Sequence, residues 1–405
     1  MRLLSSMIRT YFIFLQFTDI KSDETFHYSY PIQDEQEIIV PNNMSRQGKG
    51  FLFIVKEDNF ISSGKLDLHL VEESSKIVCP IDFQKILSTK YFERKFDIDW
   101  FSPLDSDSAL ILVTENIKYD DQNSTKYLRI CVVQISSCKT VMSNLEDINY
   151  EIQFKGLIIY GNKVDVVLEN HPDCGDIKIC KITHNNLGDL EDVIENFSIH
   201  GDKFFALPAE YESLQKGYFA VSLIQGNSND KKVIYVNELN NEKVLSVFPQ
   251  NVWHPSNLRS LSNQYNFFTF CSTSGDRVYN IDCSQYDLKL DKIMNHSETT
   301  HANVANVAVA NSASGGFRLM INYCHAIVTK GCRDFTILKV DSQGDIVRKT
   351  YKQLDFFCDQ SRYLEIETEI VDYGEKVCIY LKCEETRYVM TFANFYSECF
   401  PSNDV

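Results

Sequence analysis

The feature that most constrains this chain is a repeat of paired apolar runs. The runs are short, rich in Val, Ile, Phe and Tyr, and bounded by Asn, Asp, Ser or Gly. That pattern predicts strands rather than helices. The first member of each pair is almost wholly apolar, at residues 51–55, 109–113, 164–168, 218–224, 267–270, 317–321 and 377–381. The second member alternates, usually after a basic residue, at 65–70, 127–132, 177–182, 232–236, 277–281, 335–340 and 387–392. These seven pairs recur at a mean spacing of about 54 residues, with a polar turn inside each pair. A fixed period of this length predicts a repeat fold rather than separate domains.

Two hairpins in about 50 residues make a four-stranded antiparallel sheet. A first member flanked by sheets on both sides is continuously apolar; a second member further from the axis is expected to have one wetter face. The chain therefore resembles β-propellers in general. The resemblance implies an all-β fold, a seven-bladed β-propeller of four-stranded antiparallel blades spanning residues 23–405 as one domain. Seven such blades need about 375 residues. The last pair leaves too little chain for a fourth strand, so an N-terminal segment at 25–40 is expected to supply it and close the ring, removing open edges. The alternative fold is two β-sandwich domains. No named family's signature is present. The only tryptophans are Trp100 and Trp253, so Trp-Asp repeats are absent, and Gly315-Gly316 is the one Gly pair, which excludes the kelch pattern. Tyr-Trp-Thr-Asp repeats and sialidase aspartate boxes are missing too.

Lys+Arg number 40 against 56 Asp+Glu, a formal charge of −16. An acidic chain lacks the basic footprint that nucleic acid or an anionic membrane surface requires. No apolar run is long enough to span a bilayer. Arg2 and Arg9 precede the short apolar stretch 11–17, the order of a secretory signal peptide, with cleavage expected near Ser22 and residues 1–22 removed. Sequons begin at Asn43, Asn123, Asn196 and Asn295. With 29 Asn in the chain, about three to four would arise by chance, so they permit secretion without arguing for it.

Thirteen cysteines is an odd count. In a secreted chain they are expected to pair; in a reducing compartment they would stay as small buried apolar residues. Opposed residues of an antiparallel pair lie close to disulfide range. That geometry favours Cys271 with Cys283, Cys324 with Cys332, and Cys131 with Cys138. Cys378 and Cys383 lie on one strand about 16 Å apart and cannot pair with each other. Cys174 and Cys180 could join only through a local fold-back. Cys358, Cys378, Cys383 and Cys399 are expected to bond within the last blade, leaving Cys79 as the unpaired residue.

Chemical motifs are few. There is no Cys-x-x-Cys for zinc, and adjacent Cys324 and His325 would project to opposite faces of a strand. His296 and His301 stand five apart, not the four of a metalloprotease helix, in a segment read as a polar loop. No Gly-x-Ser-x-Gly elbow and no phosphate loop occur. Asp97, Asp99, Asp105, Asp107, Asp120 and Asp121 lack the glycine of a calcium loop and are read as turn carboxylates. No catalytic residue, metal ligand or cofactor is assigned. The 27 Phe are expected in the core, whereas some of the 21 Tyr would sit at rims and meet a partner. Segments 237–242 and 301–316 are the candidate rim loops.

The chain is accordingly expected to be a secreted, non-catalytic binding protein, monomeric, with a protein or glycan partner. The first alternative is a glycan-acting propeller hydrolase with converging carboxylates. The second is an intracellular protein-interaction scaffold.

Overall fold

The computed structural model is an all-β chain. It describes residues within 24–403 apart from connecting segments; between 142 and 262 it describes strand backbones alone. The expected leader, residues 1–22, lies outside the described residues.

Strand β1 (Glu24–Ile32) comes first and pairs last. Blade 1 is β2 (Gln36–Ile39), β3 (Gly50–Glu57), β4 (Lys65–Glu72) and β5 (Lys76–Asp82). Blade 2 is β6 (Glu93–Pro103), β7 (Ser108–Lys118), β8 (Ser124–Gln134) and β9 (Lys139–Ile148). Blade 3 holds β10 (Gln153–Tyr160), β11 (Lys163–Glu169), β12 (Ile179–Asn185) and β13 (Ile194–Phe197). Blade 4 holds β14 (Lys203–Phe205), β15 (Gly217–Leu223), β16 (Lys231–Asn237) and β17 (Glu242–Phe248). In blade 5 are β18 (Asn257–Ser262), β19 (Phe268–Ser274), β20 (Tyr279–Tyr286) and β21 (Lys292–Thr300). In blade 6 are β22 (Asn303–Asn311), β23 (Phe317–Cys324), β24 (Asp334–Val340) and β25 (Ile346–Gln353). Blade 7 is β26 (Glu367–Asp372), β27 (Lys376–Arg387), β28 (Met390–Pro401) and, on its far edge, β1.

Every sheet is four-stranded and antiparallel, with its strands in chain order except for the returning β1. This is the seven-bladed propeller expected from the repeat, and the predicted pairs are the two middle strands of each blade. β1 runs antiparallel to β28 from Glu24 opposite Cys399 to Ile32 opposite Thr391. The predicted closing segment 25–40 is in fact two strands. The chain turns where Gln36 N donates to Gln33 O, so β1 finishes blade 7 and β2 begins blade 1.

Neighbouring blades touch through their first strands, β6 with β10, β10 with β14, β18 with β22 and β22 with β26. First strands are therefore innermost. Side chains interdigitate between the faces of blades 7 and 1, 1 and 2, 5 and 6, and 6 and 7. Burial on both faces explains the apolar second strands: six consecutive residues of β3 are buried. Alternation belongs further out than the sequence implied. All but Lys339 of β24 are buried, whereas the outermost β5 and β25 alternate toward water.

Segment 301–316 is not a rim loop. It is the innermost strand β22 and its turn, with Val307, Ala308, Val309 and Ala310 buried. Ala308 and Ala310 pack toward blade 7, and Val307 and Val309 toward blade 5. Segment 238–241 lies outside the described residues. His296 is likewise not in a loop; it lies in β21, buried, with Nδ1 3.1 Å from Gly344 O.

The β22–β23 turn is fixed by Gly316, at φ +76°, where a Cβ would lie 2.2 Å from Val340 O. Its N–H and C=O are both held by the Gln285 amide. Gly316→Ala is expected to cost about 3 kcal/mol, from a strained backbone plus a clash with main chain that cannot move. Gly315→Ala, whose Cβ meets only Ser342 Cβ at 3.2 Å, should cost about 1 kcal/mol. Denaturant unfolding of the two variants checks the ranking.

Candidate binding surface

The strand that closes the ring also carries the best-defined aromatic surface. Alternation in β1 turns Phe26, Tyr28, Tyr30 and Ile32 toward blade 1, half-buried, and leaves Thr25, His27, Ser29 and Pro31 exposed. Phe26 stacks on Phe51 at 5.7 Å, and Tyr30 meets Phe53 edge-on at 5.6 Å. Behind them Phe53 stacks on Phe395 of blade 7 at 4.6 Å. Outside them the exposed Lys76 places its ammonium 6.0 Å from the Tyr28 ring and 5.6 Å from that of Tyr30. An ammonium held over two partly wet rings sets apolar faces beside a charge, the mixture that favours partner contacts.

His69 sits inside this seam, 4% exposed. It stacks on Phe53 at 5.0 Å and meets the Tyr30 edge at 5.4 Å. Neither ring nitrogen has a hydrogen-bond partner. Desolvation first, and Lys76 second, lower its pKa to about 4. Burial also raises the Tyr30 phenol, with Tyr28 and Asp67 adding to the effect. Asp67 itself is raised, by burial and then by Glu57.

The structure places the cysteines as follows. Four pairs lie at disulfide distance: Cys79–Cys138, Cys271–Cys283, Cys358–Cys383 and Cys378–Cys399. Two of these join opposed residues of neighbouring strands, Cys271 opposite Cys283 and Cys378 opposite Cys399. The expected Cys131–Cys138 bridge is not formed. Register pairs Gln134 with Lys139, so Cys131 faces residue 142, and Cys138 sits in the turn at φ 51°. From there Cys138 reaches Cys79 of blade 1, a staple between blades that no local strand argument could see. Among the described residues Cys131, not Cys79, is the free thiol. Cys332 is disulfide-bonded; the side chains of Cys324, Cys174 and Cys180 lie outside the described residues.

Of the candidate glycan sites, Asn295 is exposed on β21 and accepts a hydrogen bond from Ser284 Oγ. Asn43 and Asn123 lie outside the described residues, as does the Asn196 side chain. Of the carboxylates read as turn residues, Asp107 lies at a bend and accepts from Ser136 N and Oγ, whereas Asp97 and Asp99 lie within strand β6, where Asp99 accepts from Thr114 Oγ1. Asp105, Asp120, Asp121, His301 and His325 lie outside the described residues. Among those described, no three His, Cys, Asp or Glu side chains are grouped to hold a metal. No helix among them is long and apolar enough to cross a membrane.

One carboxylate cluster stands out. The buried Lys382 ammonium lies 3.7 Å from Glu367 Oε1 and 3.8 Å from Glu384 Oε1, so those oxygens are at most about 7.5 Å apart. Glu367 is on the innermost strand of blade 7. Desolvation raises its carboxyl, against the pull of Lys382.

No family model and no curated protein matches the chain. Among solved structures it is similar to the WD40 domain of SCAP from fission yeast, at 9% identity and TM-score 0.41, covering 94% of this chain and 98% of that one. A Synechocystis apocarotenoid oxygenase mutant gives 10% identity and TM-score 0.43 over 77% of this chain and 71% of that one. Sqt1 of Saccharomyces cerevisiae gives 9% and 0.37 over 84% and 80%.

Two outcomes follow from burial. His69 stays neutral in the folded chain down to about pH 4, while the unfolded imidazole takes a proton near 6.5. Protonation therefore favours unfolding, and stability falls as pH drops from about 6.5 toward 4, by about 3 kcal/mol at most. His69→Phe should flatten that slope in denaturant melts. Burial pushes the Cys131 thiol up to about 12. Iodoacetamide at neutral pH should leave the Cys131 peptide unlabelled in native protein and label it after unfolding without reductant.

Proposed function

We propose that this chain is a secreted, non-catalytic binding protein, a monomeric propeller that meets a protein or glycan partner outside the cell. The observation that carries the reading is the state of its cysteines. Nine of the ten whose side chains are described are disulfide-bonded, and one is free. Disulfides persist in oxidising compartments and are rare in the cytosol. Their placement fits a scaffold: Cys79–Cys138 joins blades 1 and 2, and Cys378–Cys399 ties the strand that β1 completes. The Tyr28–Tyr30–Lys76 surface is the contact region favoured for the partner, and Asn295 the favoured glycan site among those described.

Expression through a eukaryotic secretory pathway, followed by peptide mapping without reduction, tests this. Expected are release into the medium, loss of about the first 22 residues, and the four linked peptides above. Full alkylation of all thirteen cysteines without reductant would sink it. On arrays of glycans and secreted proteins, a genuine ligand of the seam should bind Lys76→Glu roughly tenfold more weakly, with thermal stability unchanged.

A second reading, a glycan hydrolase, is favoured by Glu367 and Glu384. Lys382 bridges them, so their oxygens lie at most about 7.5 Å apart, no wider than glycosidase carboxylate pairs reach. Lys382 between them argues the other way, because an ammonium already neutralises what the reaction would use. Turnover of glycans that Glu367→Gln abolishes would establish the enzyme.

A further inference from the structure

Three cations stand side by side on the face of blade 6 that looks toward blade 7. Arg318 of β23 is directly opposite Lys339 of β24, and Lys339 directly opposite Arg348 of β25. Directly opposed residues share a face, and like charges so placed repel. Nothing in the strand pattern requires this row, and it occurs in a chain whose net charge is −16.

The row is only partly compensated. Arg318 is 1% exposed and uses Nη2 on Ser402, at 2.9 Å from the carbonyl and 3.1 Å from Oγ. Its Nε lies 3.8 Å from Asp372 Oδ2, and neither Nε nor Nη1 makes a hydrogen bond. Arg348 donates Nη1 to Asn403 O at 2.7 Å. Lys339, between them and half-buried, makes no hydrogen bond or ion pair among the described residues. A guanidinium this deep with unfilled donors is costly unless something accepts from it. Among the described residues, one carboxylate, Asp372, faces the three cations.

We propose that Arg318, Lys339 and Arg348 form an oxoanion site at the blade 6–blade 7 junction, taking a phosphate or sulfate group. A tetrahedral dianion suits the row because it accepts from several donors at once, and guanidinium groups match its oxygens in pairs. Lys339 and Arg348 form the solvent side and Arg318 the floor. Burial and the flanking Arg318 push the Lys339 ammonium down, Asp372 pulls it back, and Arg348 pushes it further down; a bound anion relieves that repulsion. The carbonyls of Ser402 and Asn403 accept from the two guanidiniums at the row's ends, and Lys339 stands between them. The same chemistry serves free phosphate and a sulfated or phosphorylated group on a larger molecule.

Calorimetric titration of the intact chain with inorganic phosphate and, separately, inorganic sulfate tests the site, with chloride at matched ionic strength as reference. Expected is saturable binding of at least one of the two, weakened roughly tenfold by Lys339→Gln and by Arg348→Gln. Lys349→Gln should bind as the parent does. Lys349 is the next residue along β25, exposed on the opposite face and paired with Glu298 at 3.4 Å. Absence of saturable binding to either anion overturns the proposal. So does an equal loss in Lys349→Gln, which would mean diffuse charge.

Discussion

A ring of sheets needs one junction that chain order cannot supply, and the antiparallel ladder between β1 and β28 is that junction. Six blades form from consecutive strands; the seventh requires the two ends of the described chain to meet. Without β1, β28 would present an open edge and the aromatic face of blade 1 would lose its cover. The ladder is backed by packing that ignores chain distance. Phe53 of blade 1 stacks on Phe395 of blade 7, with Tyr28 against both rings and Tyr30 against Phe53. Ring closure and core formation are here the same event.

The disulfides act on that same problem from the unfolded side. Cys79–Cys138 spans 59 residues and Cys271–Cys283 only 12. In the chain-entropy account these remove about 4 and about 3 kcal/mol of unfolded-state freedom respectively. The longer bridge also holds two blades together where Cys79 Sγ and Cys138 lie over the Ile135 turn. Near the closure, Cys358 ties the connection into blade 7 to β27, and Cys332 N donates to Cys358 O. The bonded cysteines thus gather where a blade meets the next one or where the ring shuts.

The middle strands of all seven blades were legible in the sequence because burial on both faces writes itself as a nearly unbroken apolar run such as 109–113. Register-opposed bridges were legible for a similar reason: Cys271 and Cys283 flank a short turn, and local geometry decides. What local geometry could not decide was Cys138. Its partner belongs to another blade, and a two-residue shift of the hairpin turn sends it outward rather than toward Cys131. Segment 301–316 misled because Ala, Asn and Val at close spacing look like loop filler. On an innermost strand, small residues are what crowding demands. The His69 seam and the cation row were hidden altogether, since each depends on which residues become opposed once register is set.

Among the described residues, two kinds of junction hold neighbouring blades. Blades 7, 1 and 2 are joined by stacked rings, whereas blades 5, 6 and 7 are pinned by buried hydrogen bonds. Gln285 of blade 5 donates Nε2 to Thr269 Oγ1, Asn311 Oδ1 and Gly316 O, tying two blades with one amide. Tyr265, before β19, reaches past blade 6 to give its hydroxyl to Asp372 O at 2.6 Å, from a backbone at φ 56°. A non-glycine residue persists there only when its surroundings over-determine it. Stacked rings tolerate small slides, but directional bonds with one satisfied geometry do not. Directional bonds of this kind resist the slide by which Arg318, Lys339 and Arg348 could spread and relieve their mutual repulsion.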